Sequence, residues 1–150
     1  MATLDSISTK HERPKFDELQ VADVMHAGVL TCLMDAPLDV VAEMMASYGI
    51  HCVVVYEQPG LAVDGFWGVV SDLDLISVAA EGDVSGKTAG SAAGTPALKI
   101  SCDDTLTRAA QLMRDYATSH LVVVDPDSDT PLGVLSTLDV ARAIAPPPRA

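Results

Sequence analysis

The chain has 150 residues, of which 49% are hydrophobic, 4% aromatic and 20% charged, and its formal net charge is −12. This charge disfavours nucleic acid and anionic membranes as partners, because both are bound through Lys and Arg side chains that neutralise phosphate. The length fits one compact domain, or two half-size units that share a core.

Cysteine usage and the N-terminus indicate the compartment. Cys32, Cys52 and Cys102 form neither a C-x-x-C motif nor an even disulfide framework, and no Cys/His pair has zinc-ligand spacing. The N-terminal region is polar, and no apolar stretch reaches the length of a membrane span. We therefore expect a cytoplasmic protein that requires no metal and no cofactor.

The chain consists of two similar units between two tails. Residues 1–20 predict a flexible N-terminal tail, and residues 146–150, which begin with three prolines, predict a C-terminal tail. Residues 21–80 form the first unit and residues 89–145 the second, joined by the linker 81–88 (EGDVSGKT). Under a shift of 68 residues, Leu38 falls on Leu106, Met45 on Met113 and Val54 on Val122; after the hairpin loop the shift is 65, and Gly68 falls on Gly133.

Each unit predicts the same elements in chain order. These are a short helix capped by Asp23 or Ser91, a strand at 29–31 or 97–100, an amphipathic helix at 37–48 or 105–116, a buried strand at 52–56 or 120–124, a turn at 58–64 or 126–131, a strand at 65–70 or 132–135, and a closing helix that starts at Ser71 or Ser136. The order predicts an α/β (α+β) fold of two pseudo-symmetric β-α-β-β-α repeats packed as one module. Residues 53–55 and 121–123 are continuous apolar runs, which predicts central strands buried on both faces.

The motif G-h-h-S-x-x-D occurs once in each unit, at residues 68–74 and 133–139. A serine at the helix N-cap with an acid three residues later is typical of a capping box. The same groups can bind a ligand, because free amides and a hydroxyl at a helix N-terminus hold phosphate and a fixed carboxylate accepts ribose hydroxyls. Both interpretations stay open on these residues alone.

The repeat and its motifs together resemble a tandem pair of cystathionine-β-synthase (CBS) domains over residues 21–145. The resemblance rests on V-x-D-V-M at residues 21–25, Asp35-x-x-Leu38, Ala42-x-x-Met45, the valine-rich strand and G-h-h-S-x-x-D-h. The second copy departs from the pattern at its start, where residues 89–93 read AGSAA.

The resemblance implies clefts between the copies that hold AMP, ADP, ATP or S-adenosylmethionine. It places phosphate and ribose contacts on Ser71 and Asp74 and on Ser136 and Asp139. It places the adenine on Thr31, Cys32 and Met34 with Val53, and on Ile100 and Ser101 with Leu121. His51 and His120 precede the valine-rich strands, where the family often has phosphate-directed His or Arg; the alternative is solvent-facing or capping histidines. No Arg accompanies them, which implies a ligand of low charge or weak affinity.

The predicted function is a regulatory, ligand-sensing module that forms a homodimer and passes its signal to an unknown effector protein. The alternative is a structural or interaction scaffold with empty clefts. An enzyme is disfavoured, because the serines lack the strained G-x-S-x-G turn of a hydrolase nucleophile. The first copy matches the family better at its start, so Asp74 is the favoured ligand residue.

Overall fold

The computed structural model describes residues 14–57, 66–93 and 98–146, and the turn expected at residues 58–64 lies outside them. The helices are α1 (Val21–Val24), α2 (Leu38–Tyr48), α3 (Asp72–Ala80), α4 (Ala89–Ala92), α5 (Leu106–Tyr116) and α6 (Thr137–Ile144). The strands are β1 (His26–Ala27), β2 (Thr31–Leu33), β3 (Cys52–Tyr56), β4 (Phe66–Ser71), β5 (Lys99–Ser101), β6 (His120–Val124) and β7 (Pro131–Ser136). The result is the mixed α+β fold of two repeats that the sequence predicts.

Two sheets form the centre of the molecule. One has the order β2-β3-β4 and the other β1-β7-β6-β5. Strand β2 pairs in parallel with the valine-rich strand β3, as Thr31 does with Val54, and β5 pairs in the same way with the valine-rich strand β6. Each valine-rich strand pairs antiparallel with the strand that follows it, β4 or β7. The parallel pair needs a crossover, and the amphipathic helices α2 and α5 supply it.

The valine-rich strands are covered on both faces. Val53 and Val55 lie in a first core with α2, and Leu121 and Val123 lie in a second core with α5. The residues between them point the other way, so that Val54 packs with Val122 and Val124 where the two repeats meet. This arrangement confirms the prediction of buried central strands and explains why these runs show no polar alternation.

The first helix of each repeat is exchanged between the two halves. Val21 of α1 is buried in the second core, whereas Ala89 and Ala92 of α4 are buried in the first. Strand β1 follows α1 and pairs antiparallel with β7, which brings Ala27 opposite Gly133. Each half is therefore completed by a segment of the other repeat.

Several expected boundaries differ from the structure. Helix α1 begins after Gln20, and Asp23 is its third residue, accepting a hydrogen bond from the Gln20 amide; Thr88 rather than Ser91 caps α4. The strand expected at 29–31 starts at Thr31, because the left-handed Gly28 (φ +86°) turns the chain between the two sheets. In the expected N-terminal tail, Phe16 and Leu19 pack against the second core.

No helix in the described parts of the chain combines the length and apolar character that a membrane crossing needs.

Candidate functional site

Both serine motifs form complete capping boxes. The Ser71 amide and hydroxyl donate to Asp74 Oδ2 at 2.8 and 3.0 Å, and the Asp74 amide donates back to Ser71 Oγ at 3.3 Å. Ser136 and Asp139 repeat this pattern at 2.8, 3.1 and 3.3 Å. The predicted N-caps are confirmed, and each box uses one carboxylate oxygen, Oδ2, and leaves Oδ1 for another contact.

Two turns that end the amphipathic helices lie opposite these helix N-termini. Helix α2 ends at Gly49 and α5 at Ala117, both in the left-handed conformation, with φ of 62° and 50°. This conformation ends each helix and turns the chain toward the strand that follows. Two positions after these residues lie His51 in the first repeat and Ser119 in the second.

The larger opening, the first cleft, has a volume of about 450 Å³. It is lined by residues 26–30, residues 48–52, His120, Val134, Ser136, Leu138 and Arg142. The turn from the first repeat thus faces the serine motif of the second repeat. Its volume lies within the range of about 300–1,000 Å³ that small-molecule sites occupy.

The second cleft is the same arrangement with the repeats interchanged, but its volume is about 90 Å³. It is lined by Val69, Ser71, Leu73, Asp74, Leu98, residues 117–120 and Val122. This volume is below the usual range for a nucleotide-sized ligand. The two motifs therefore face clefts of different capacity, and Ser136 faces the larger one.

Two histidines lie close together at the first cleft and bring N–H donors to it. His51 Nδ1 lies 3.0 Å from Asp72 Oδ2, and His120 Nδ1 lies 2.8 Å from Ser119 Oγ. The rings of His51 and His120 are 6.2 Å apart between centroids, and His120 lines both clefts. Burial lowers the pKa of His120, and His51 lowers it further, while the carboxylates of nearby helices act in the opposite direction.

The charges that line the two clefts differ in sign. Arg142 joins His26, His51 and His120 at the first cleft, whose lining contains no acidic side chain among the described residues. The second cleft has Asp74 and His120 and no Lys or Arg among the described residues. In a chain of net charge −12, the first cleft is therefore a local environment suited to an anionic group.

The two motif carboxylates are exposed to different degrees. Asp74 is half-buried and lines the second cleft. Asp139 is only 3% exposed and does not line the first cleft, because His26 stands between them with Nδ1 2.9 Å from Asp139 Oδ1. Asp139 and His26 instead line a neighbouring cavity of about 340 Å³.

The adenine wall that the resemblance implied does not line either cleft. Val53, Ile100 and Leu121 are buried in the two cores, and Cys32 and Met34 pack against the first. Thr31 and Ser101 also lie outside both linings. The reason is the later start of the first strands, which leaves the residues just before them, Gly28–Leu30 and Leu98, at the openings.

Sequence reasoning missed two polar cleft residues, Arg142 and His26. Arg142 lies four residues after Leu138 on α6, so the two share a helix face, and that spacing could have identified it once Ser136 was assigned as the cap. His26 gave no such signal, since it reaches the cleft only through the exchange of β1.

The thiol and serine hydroxyls at the two clefts are either protonated or engaged in the capping boxes. Burial, together with Asp72, raises the pKa of Cys52 to about 12, so that this cleft thiol stays protonated at neutral pH. The hydroxyls of Ser71 and Ser136 donate to their own carboxylates. Within residues 14–57, 66–93 and 98–146, no group of three or more His, Cys, Asp or Glu side chains could hold a metal ion.

Comparison with known proteins gives consistent matches. The family model described as CBS domain matches residues 21–81 and 90–146. No curated protein matches the chain in sequence. The solved CBS domain pair of protein MJ0100, in complex with 5′-methylthioadenosine and S-adenosyl-L-methionine, is 18% identical with a TM-score of 0.71 over 83% of this chain and 94% of that one.

Two further solved structures are similar to the same extent. The CBS domain of the bacterial CNNM/CorC family Mg²⁺ transporter, in complex with ATP, is 21% identical with a TM-score of 0.69, covering 86% of this chain and 89% of that one. A CBS domain protein from Pyrobaculum aerophilum complexed with AMP is 22% identical with a TM-score of 0.70, covering 81% and 89%. At these identities the likeness is one of fold.

Proposed function

This chain belongs to the CBS domain family, and we propose that it is a regulatory module that binds an adenine nucleotide or a related adenosyl ligand in the first cleft. The observation that carries the proposal is the first cleft itself. It is built from both repeats, its volume of about 450 Å³ suits a nucleotide, and a helix N-terminus capped by Ser136 opens onto it. Occupation of such a cleft would change how the repeats pack, which is a means of signalling to a partner.

The lining supports a ligand with an apolar part and an anionic part. Val29, Leu30 and Ile50 offer aliphatic surface for a base, while Arg142 and the histidines suit a phosphate. AMP, ADP and ATP have an apolar base and anionic phosphates; S-adenosylmethionine has the same base, and its anionic group is the methionine carboxylate, beside a cationic sulfonium and ammonium. The structural neighbours in complex with AMP, with ATP and with S-adenosyl-L-methionine make these the ligands to test first.

With the ligand in the first cleft, the favoured ligand-binding carboxylate is Asp139 of the second repeat and no longer Asp74. The box of Asp74 faces a cleft of about 90 Å³, whereas the box of Asp139 adjoins the larger opening. Ser136, His51 and His120 remain ligand candidates from the sequence, and Arg142 joins them.

The rival function is a scaffold whose clefts stay empty. One observation favours it: both S-x-x-D motifs are fully explained as capping boxes, with every hydroxyl and amide of the box satisfied. A scaffold would keep the boxes for helix stability and would show no response to nucleotides.

Partner and location complete the proposal. A module that binds without catalysing acts through an effector protein, and a homodimer is the assembly that the family implies. A cytoplasmic location agrees with the unpaired thiols of Cys32, Cys52 and Cys102, since reducing compartments keep cysteines free.

The test is calorimetry and thermal shift with AMP, ADP, ATP and S-adenosylmethionine. We expect a dissociation constant between about 1 μM and 1 mM for at least one of them, or roughly −8 to −4 kcal/mol. A ligand at 100 times its dissociation constant should stabilise the module by about 2.7 kcal/mol, which raises the melting temperature by roughly 2–6 °C.

A matched pair of variants separates binding from capping. Asp139→Asn and Asp74→Asn alter the equivalent position of the two capping boxes, so both should lower stability, and Asp139→Asn should do so by more because Asp139 is buried and also contacts His26. Only Asp139→Asn should lower the affinity for the ligand, by about tenfold, because it removes a charge-assisted hydrogen bond at the first cleft. No response to any of the four ligands would favour the scaffold, and equal affinities of both variants would remove Asp139 from the site.

A further inference from the structure

Asp139 is held away from the first cleft by a side chain of the other repeat. Its Oδ2 accepts the Ser136 amide and hydroxyl, and its Oδ1 contacts His26 Nδ1 at 2.9 Å. The Asp139 side chain is 2% exposed, while that of His26 is 64% exposed. His26 therefore covers Oδ1 of Asp139, while Oδ2 of the same carboxylate is occupied by the Ser136 amide and hydroxyl.

The second cleft provides the internal comparison. Asp74 occupies the same place in its capping box and lines its cleft directly. Among the described residues, Asp74 Oδ1 makes no hydrogen bond. Under the shift of 68 residues that relates the repeats, the position equivalent to His26 is Gly94, which has no side chain to offer. Within the part of the chain that the structure describes, the first cleft has a covered motif carboxylate and the second does not.

The position of His26 is set by the backbone. Strand β1 lies on β7, where His26 pairs with Val134 and Ala27 with Gly133. Among the described residues, the ring makes its hydrogen-bonding contact with Asp139, and most of the side chain faces solvent. It can rotate away without disturbing either core.

Resting on the proposed function, we infer that His26 competes with the ligand for Asp139 and so sets the affinity and selectivity of the first cleft. A ligand whose hydroxyls reach Asp139 Oδ1 must displace the imidazole. A ligand that cannot form this bond, such as a nucleoside without its ribose hydroxyls, leaves His26 in place. The residue thereby lowers the affinity of ribose-bearing ligands relative to ligands of similar shape that lack the ribose hydroxyls.

The test compares His26→Ala with His26→Gln by calorimetry with AMP. His26→Ala uncovers Asp139 and should raise AMP affinity by about 2- to 10-fold, the equivalent of one ordinary hydrogen bond. His26→Gln keeps an N–H donor for Asp139 and should bind within about twofold of the wild-type protein. Arg114→Ala, which removes an exposed ion pair with Asp115 on α5, is the control and should leave AMP affinity unchanged. Unchanged or weaker binding by His26→Ala would overturn the inference.

A ligand-free measurement separates this inference from the proposed function. The contact with Asp139 requires that Nδ1 of His26 carry the proton when the ring is neutral. Nitrogen NMR of the free protein should show this tautomer, and Asp139→Asn should shift it toward the Nε2 form. If no variant binds AMP but the tautomer is present, the proposed function fails while the contact stands; the Nε2 tautomer in the wild-type protein would refute the contact itself.

Discussion

His120 is the side chain that the two clefts share, and its ionisation depends on both repeats. Burial is the largest cause of its lowered pKa, and the facing ring of His51 acts in the same direction. Asp72 and Asp74 on α3 and Asp139 on α6 oppose the shift, and Ser119 contacts the ring. The neutral imidazole is therefore the form that the fold favours.

This lowered pKa predicts how stability depends on pH. Between the folded pKa and the unfolded value of about 6.5, the unfolded chain binds more protons, so the free energy of unfolding rises with pH. The contribution of His120 is present above pH 6.5 and is lost as the pH falls below it. Urea unfolding at several values between pH 5 and pH 8 should show a shallower slope for His120→Gln than for the wild-type protein. Identical slopes would show that His120 has the same pKa in both states.

Local chemistry was predictable at the residue scale, and distant contacts were not. Ser71 and Ser136 were identified as caps because the box lies within three residues of sequence. The contact of His26 with Asp139 joins opposite repeats, and no spacing rule reports it. The alignment of the copies did contain the difference between the clefts, since His51 falls on Ser119 and Arg142 falls on Ser77.

At the scale of elements, Gly133 determines where the exchanged strand β1 can lie. A Cβ at this position would overlap the backbone carbonyl of His26 and come within 3.3 Å of the Met25 sulfur. At Gly68, the equivalent position, an added Cβ would meet, among the described residues, the Ala93 Cβ at an ordinary 3.7 Å. The two glycines have the same place in the motif but different neighbours.

We therefore expect Gly133→Ala to destabilise the module and Gly68→Ala to be tolerated. Overpacking against backbone should cost about 1–3 kcal/mol, whereas Gly68→Ala should change stability by less than about 0.5 kcal/mol. Chemical denaturation of both variants measures the difference. Equal stabilities would mean that β1 moves off β7 at no cost, and that the exchange of β1 contributes little.

The sequence predicted the type and order of most elements but not how they are shared. The valine-rich strands and amphipathic helices have strong periodic or continuous apolar patterns, and their bounds agree closely with prediction. Helices α1 and α4 are four residues long, and their exchange between halves depends on which core their apolar residues fill. Which core a four-residue helix fills depends on tertiary packing, which no local sequence pattern reports.

At the scale of the whole molecule, apolar side chains remain on the outside of the helices. Ile76 on α3 and Ile144 on α6 are 62% and 68% exposed, and Tyr48 and Tyr116 at the ends of α2 and α5 are 69% and 62% exposed. The two tyrosines occupy equivalent places in the repeats. Where such exposed apolar side chains form a contiguous patch, they are suited to bind another protein.

The proposed homodimer accounts for this surface, and it predicts that charged substitutions on the surface prevent dimerisation. Ile76 and Ile144 lie outside the linings of both clefts, so a charge there tests association without altering the ligand site. Sedimentation should give the wild-type protein twice the chain mass of 15.7 kDa. Ile76→Asp and Ile144→Asp should sediment as monomers, because a buried unpaired carboxylate is costly at an interface, while Val84→Asp, which changes an exposed residue between α3 and α4, should remain dimeric. If the wild-type protein sediments as a monomer, the homodimer is wrong. The exposed helix faces would then be available to the effector protein, and a nucleotide signal would pass through a one-to-one complex of module and effector.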